Sequence, residues 1–167
     1  MKEKIFRNYL ELKFLEDFKE IKKPSEEYSV KLVDPKDFQL NKFFYRSIGK
    51  NCQWVDRLVW TDLDWIKYIS DKKLFTYTLM NKDEIAGYFE LLFNKDTKEA
   101  EIAYFGILEK YFGRTLGGYL LSEAIKRSFI LGCVRVWVHT CSLDHKNALS
   151  NYLSRGMKIF KSETLVR

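Results

Sequence analysis

In the middle of the chain, apolar positions gather into three strand-like runs: Lys73–Met80, Glu84–Phe93 and Ala100–Leu108. The tripeptide Asn81-Lys82-Asp83 separates the first two and the polar stretch Asn94–Lys98 the last two, which predicts an antiparallel meander. A glycine-rich turn follows, then a helix from about Leu116 to Leu131 and a β-branched strand, Val134–Thr140. Asp144–Arg155 predicts another helix, with Gly156 as its C-terminal cap, and Met157–Val166 a closing strand.

Upstream, Tyr28–Val33 predicts a strand, with Asp34 as a helix cap and Pro35 at the first helical position. Leu40, Phe43, Phe44 and Ser47 keep helical spacing up to Gly49. A second helical region holds or adjoins Trp54, Trp60 and Trp65, capped by Thr61 or Asp62. The order β-α-α-β-β-β-α-β-α-β implies an α/β (α+β) domain with a mixed sheet flanked by helices. Residues 1–27 lie beyond the polar stretch Lys22-Lys23-Pro24-Ser25 and read as an accessory arm on a domain of residues 28–167. Phe6, Leu10, Leu12 and Phe14 alternate as in a strand, whereas Leu10, Phe14, Leu15 and Phe18 fit a helical stripe. The arm is expected to add an edge strand or to help form a homodimer.

Composition narrows the function classes. A chain of 167 residues with 46% hydrophobic residues suits one folded domain and not a disordered segment. No apolar run approaches the roughly 20 residues of a membrane span, and the charged N-terminus lacks a signal-peptide core, so a cytoplasmic protein without membrane contact is expected. Three cysteines without CxxC spacing, and only two histidines, argue against a disulfide framework or a metal site. The formal charge of +6 is spread along the chain without a dense basic block, which suits a phosphate-bearing small molecule better than nucleic acid.

The segment Glu109–Gly118 joins an apolar strand to a helix and contains Gly113, Gly117 and Gly118. A helix N-terminus exposes unpaired N–H groups, and glycines let a phosphate approach them. Lys110 and Arg114 add positive charge.

This loop and the later segment Leu143–Met157 together resemble the GNAT N-acetyltransferase superfamily. Phe112–Gly117 occupies its pyrophosphate pattern, (Q/R)-x-x-G-x-(G/A). His145, Ala148, Tyr152, Gly156 and Met157 occupy its later pattern, N-x-x-A-x-x-x-Y-x-x-x-G-(F/M). The stretch AYFGILEKYFGRTLGGYLL…RVWVHTCSLDHKNAL is also similar to a bacterial subgroup reading AYFGL…GRGLG…VWVHTC-x-LDH. Three positions depart from the patterns: Phe112 replaces Gln or Arg, Thr115 replaces the central glycine, and His145 replaces Asn.

The resemblance implies a mostly antiparallel sheet, splayed between its fourth and fifth core strands, and transfer of acetyl from acetyl-CoA (coenzyme A) to an amine by direct attack. It implies that Phe105, Gly106 and Ile107 flank the acyl group, one of their N–H groups polarising the thioester. It also implies that Phe112, Gly113, Arg114, Thr115, Leu116, Gly117, Gly118 and His145 hold the cofactor. Tyr152 would protonate the departing thiolate, and Glu101 or His139 would accept the amine's proton. The plainer alternatives are packing for Tyr152 and His139 and a solvated carboxylate for Glu101. The acceptor is expected to be a small-molecule or protein amine. A non-catalytic acyl-CoA-binding or interaction module on the same fold is the competing expectation.

Overall fold

The computed structural model describes residues Met1 to Arg167. Seven strands make one sheet: β1 (Lys4–Leu12), β2 (Tyr28–Leu32), β3 (Leu74–Asn81), β4 (Glu84–Asn94), β5 (Glu99–Ile107), β6 (Arg135–Cys141) and β7 (Lys158–Val166). Their spatial order is β2-β3-β4-β5-β6-β1-β7. Four helices flank it: α1 (Phe38–Cys52), α2 (Asp62–Ile69), α3 (Leu116–Ile130) and α4 (Ala148–Ser154). None is long and apolar enough to cross a membrane.

Helices cover both faces. On one face, α3 buries Leu120, Leu121, Ala124 and Ile125 completely, in one core with Leu79, Phe89, Leu91 and Val136. Full burial of each such aliphatic side chain contributes about 1.5–3 kcal/mol. A separate cluster of Phe44, Ile48 and Tyr88 fixes α1 to the sheet, with the Phe44 and Tyr88 rings stacked at 4.6 Å.

Two helix starts differ from the sequence reading. Asp37, not Asp34, caps α1, accepting from Gln39 N at 3.0 Å. Val33 N still donates to Thr76 O (2.8 Å), which extends the sheet pairing and delays the helix. The later helix, α4, begins at Ala148 and not near Asp144. The Asp144 carboxylate accepts from Thr140 Oγ1 (2.6 Å) and Cys141 N (3.0 Å), so it caps the end of β6 instead. Thr61 does cap α2, in a reciprocal box with Asp64.

The N-terminal segment is an interior strand, not an edge. β1 lies antiparallel between β6 and β7, with Leu10 fully buried and Leu12 nearly so. Residues beyond it then strap across α3 and α4. Lys19 N donates to Arg155 O (3.0 Å), and Ile21 N donates to Ser122 Oγ (2.8 Å). Gly156, at φ 98°, permits this crossing, because a Cβ there would lie 1.8 Å from Asp17 O. Composition alone does not reveal this, since the polar Lys22–Ser25 stretch resembles a linker whether or not the preceding strand enters the sheet.

β5 and β6 are the sole parallel pair, and they pair only through Glu99↔Arg135, Ala100↔Val136 and Glu101↔Trp137. Beyond that point they part. On the other side of β5 the register shifts between Glu90 and Leu91, so that Ala103 is an extra residue. Such a bulge bends its strand and increases the local twist, turning the distal half of β5 away from β6.

Leu10→Ala is therefore expected to lower stability by about 2–5 kcal/mol, the usual range for a buried leucine. Urea denaturation measures it, and a loss below about 1 kcal/mol would place β1 outside the cooperative core.

Candidate active site

The wedge between β5 and β6 opens into a cavity of about 1400 Å³. Its floor has a defined polarity. Leu108 N donates to Ala86 O (2.8 Å), and antiparallel ladders alternate their bonding by residue. Gly106 N–H therefore faces β4, while the N–H groups of Phe105 and Ile107 point towards the wedge, where β6 has already diverged. Gly106 is required by packing: a Cβ there would come within 2.6 Å of Ile48 Cγ2.

At one end of the wedge stands the turn into α3. No loop, cap or side-chain hydrogen bond engages the backbone N–H groups of Gly113 through Gly118. Gly113, at φ 77°, has open space where a Cβ would be. Thr115 is the N-cap at φ 59°, ψ 27°, and its hydroxyl donates to Arg114 O at 2.6 Å. A β-branched residue in this left-handed region carries a cost of about 1–2 kcal/mol. The Thr115 hydroxyl is thus turned onto its own backbone and leaves the N–H groups uncapped.

The charge beside this turn comes from an unexpected residue. Lys110 pairs with Glu84 at 3.1 Å, and the Arg114 guanidinium sits 4.8 Å from the Tyr111 ring, so neither lines the cavity. Arg155 does. A Cβ on Gly118 would sit 2.4 Å from Arg155 Nη1, which locates the guanidinium against the first turn of α3. Nη1 donates to Asn151 Oδ1 (3.2 Å), and Asn151 Nδ2 donates to Gly117 O (3.1 Å). Arg155 Nε is buried without a partner, and burial pushes the guanidinium pKa down. An anion at this turn would relieve both conditions.

Three ionisable side chains face the same cavity. Tyr152 is buried, and burial pushes its hydroxyl pKa well up, with Asp144 adding to the effect, so it holds its proton at neutral pH. Burial raises the Glu101 carboxyl, and the charge of Arg57 partly opposes the rise. Burial, then the charge of Arg7, lowers the His139 imidazole, leaving it neutral and able to accept a proton at pH 7. The arrangement combines N–H donors on a strand, an anion-compatible helix start, a held proton and two groups able to take one.

A profile of the acetyltransferase (GNAT) family matches residues 38–157. The chain belongs to the GNAT acetyltransferase family. This supports acyl transfer as its general chemistry, for which family members use acetyl-CoA. No curated protein matches the chain. Among solved structures, a GCN5-related N-acetyltransferase from Sphaerobacter thermophilus has a TM-score of 0.74 at 14% identity, covering 97% of this chain and 50% of its own. An aminoglycoside acetyltransferase from an uncultured soil metagenomic sample scores 0.63 at 13% identity, covering 80% of this chain and 90% of its own. An IAA acetyltransferase from Bacillus cereus scores 0.57 at 17% identity, covering 80% and 79%. These likenesses establish the fold. The chain spans 62%, 50% and 56% of the first three structures matched.

Set against the GNAT patterns, the expected site residues fall into two groups. Phe105, Gly106, Ile107, Phe112, Gly113, Thr115, Leu116, Gly117, Gly118 and His145 all line the cavity, as do Tyr152, Glu101 and His139. Arg114 does not. Phe112 and His145 meet edge to face at 5.5 Å, so two of the departures from the family pattern contact each other. Arg155 and Arg57 also line the cavity, although neither belongs to a motif in the sequence. Arg155 lay one residue before a recognised glycine, and its strap contact was not legible. Arg57 lies between Trp54 and Trp60, outside every motif. No cluster of histidine, cysteine, aspartate and glutamate suited to a metal is present.

Two outcomes follow from these environments. Thr115→Gly removes the left-handed cost and should leave the melting temperature equal or higher; a marked fall would mean the threonine side chain makes a needed contact. The folded Glu101 carboxyl titrates above its unfolded value, so its deprotonation costs stability as pH rises through the folded pKa. Glu101→Gln should therefore melt higher than wild type at pH 7, with the gap closing below about pH 4, the unfolded glutamate range. A variant that melts lower at pH 7 would contradict this assignment of the carboxylate's environment.

Proposed function

We propose that the protein is an N-acetyltransferase that moves acetyl from acetyl-CoA to an amine by direct attack. The observation that carries the reading is the wedge: the Phe105 and Ile107 N–H groups point into it, and Tyr152 lines it. Acetyl-CoA would supply an activated thioester. The N–H groups of Gly113–Gly118 and the Arg155 guanidinium would hold its diphosphate. The Phe105 or Ile107 N–H would donate to the carbonyl oxygen, where negative charge develops. Glu101 or His139 would accept the proton of the attacking amine, and Tyr152 would donate its proton to the departing sulfur. His139 suits the first task because it is neutral at pH 7, and Glu101 because its raised pKa makes it a better base than an exposed carboxylate.

Thiol release from acetyl-CoA across a panel of amines tests the reading. Tyr152→Phe keeps the ring and removes only the hydroxyl, so acetyl-CoA affinity should hold. Its kcat should fall by about a hundredfold, the lower end for proton transfer, because a thiolate is a fair leaving group unaided. Full kcat across the pH range would make Tyr152 a packing residue. Acetyl-CoA binding without thiol release from any amine would favour a non-catalytic binding module.

A further inference from the structure

Beyond the reacting centre, the same cavity is walled by residues of the α1–α2 connection, including Trp54 and Arg57. Arg57 is only 9% exposed. Its guanidinium carbon lies 4.0 Å from the Tyr68 ring centre, 4.2 Å from Tyr104 and 4.6 Å from Trp60. Tyr45 and Trp65 stand at 5.7 and 5.5 Å. Five aromatic rings therefore fix the plane of one cation, each through its negative face or by packing.

The charge is compensated, but one donor nitrogen has no hydrogen-bond partner. Glu90, fully buried on β4, lies 3.6 Å from Arg57 Nη1, which is an ion-pair distance and longer than a good hydrogen bond. The Glu90 carboxylate is already engaged: Oε2 accepts from Asn41 Nδ2 (3.2 Å) and Oε1 from the Tyr68 hydroxyl. Arg57 Nη1 is buried with no hydrogen-bond partner. A guanidinium carries five N–H donors in a rigid fork, and a buried one left without a partner is costly. Glu90 and the aromatic rings meet the need for charge and packing. Arg57 also lines the cavity, where a planar two-oxygen acceptor would find the rest of the fork.

We propose that the acceptor is an amine that also carries a carboxylate, an amino-acid-like zwitterion whose carboxylate is held by Arg57. The proposal rests on the acetyltransferase reading and names its substrate class. A carboxylate matches the guanidinium fork in shape and charge. A phosphate dianion fits worse, because Glu90 already neutralises Arg57 and Glu101 lines the same cavity, so a second full negative charge would be repelled. A zwitterion brings its own ammonium to balance that account, and Glu101 is placed to favour the ammonium. A polycation without a carboxylate would meet Arg57 as a like charge.

Matched pairs of amino acids and their decarboxylated amines, such as phenylalanine with phenethylamine and lysine with cadaverine, test this on the wild-type protein. The readouts are kcat/KM for thiol release and the tryptophan fluorescence of the wall at saturating coenzyme A. At least one amino acid should exceed its decarboxylated partner by about ten- to a hundredfold, the range for hydrogen bonds to a charged group. Arg57→Gln should erase most of that preference through KM, and Arg57→Lys should restore part of it. Decarboxylated amines that are bound and acetylated as well as the amino acids overturn the proposal. So does the absence of binding and turnover for every amino acid while acetyl-CoA still raises the melting temperature. If acetyl-CoA itself gives no thermal shift, the acetyltransferase reading fails first. The wild-type comparison decides even where Arg57→Gln, which exposes Glu90 to an uncompensated burial, does not fold.

Discussion

The parting of β5 from β6 after three paired residues is the constraint on which the rest depends. A strand edge inside a protein presents N–H and C=O groups that need partners. Here the distal edge of β5 faces a cavity, so a guest with an amide backbone or carbonyl fits it better than a side chain would. The extra residue at Ala103 bends β5 away on one side. On its other edge β6 pairs with β1 from Arg7↔Cys141 to Leu12↔Val136, which keeps it in the sheet. The N-terminal strand is therefore what allows β6 to leave β5 without leaving the sheet.

Electrostatics follows from the same geometry. The chain carries 29 basic and 23 acidic residues, yet net charge says little about where a phosphate would sit. Lys110 pairs with Glu84, Arg114 sits against the Tyr111 ring, and neither basic residue lines the cavity. Arg155 and Arg57, each with a buried nitrogen lacking a hydrogen-bond partner, line it. The two arginines stand with different parts of the wall, one with the turn into α3 and one with the α1–α2 connection.

Much of the fold was legible because each meander strand is an apolar run bounded by polar turn residues, and each turn has its own chemistry. Asn81-Lys82-Asp83, Thr61 and Gly156 announced a hairpin, a helix start and a helix end, and the structure has all three. The position of β1 was not legible. Leu10 and Leu12 signal burial, but partner choice in a sheet is a long-range matter that local periodicity does not encode. The start of α4 was misplaced because Asp144 looks like a helix cap and acts instead as a cap on β6. In the site, the glycine turn stood out through its place between strand and helix, and Tyr152 through its place in the GNAT pattern. Arg57 and Arg155 did not, because a lone arginine acquires meaning only from the rings or the helix end that the fold brings to it.

The central claim is that the unpaired edge of β5 and the turn into α3 form one ligand surface. Hydrogen–deuterium exchange with and without saturating acetyl-CoA reads those amides directly. The account predicts that peptides covering Tyr104–Leu108 and Phe112–Tyr119 gain protection together, while β7, on the far edge of the sheet, does not change. Unchanged exchange in both peptides at a concentration of acetyl-CoA that demonstrably binds, or protection confined to other strands, would contradict it.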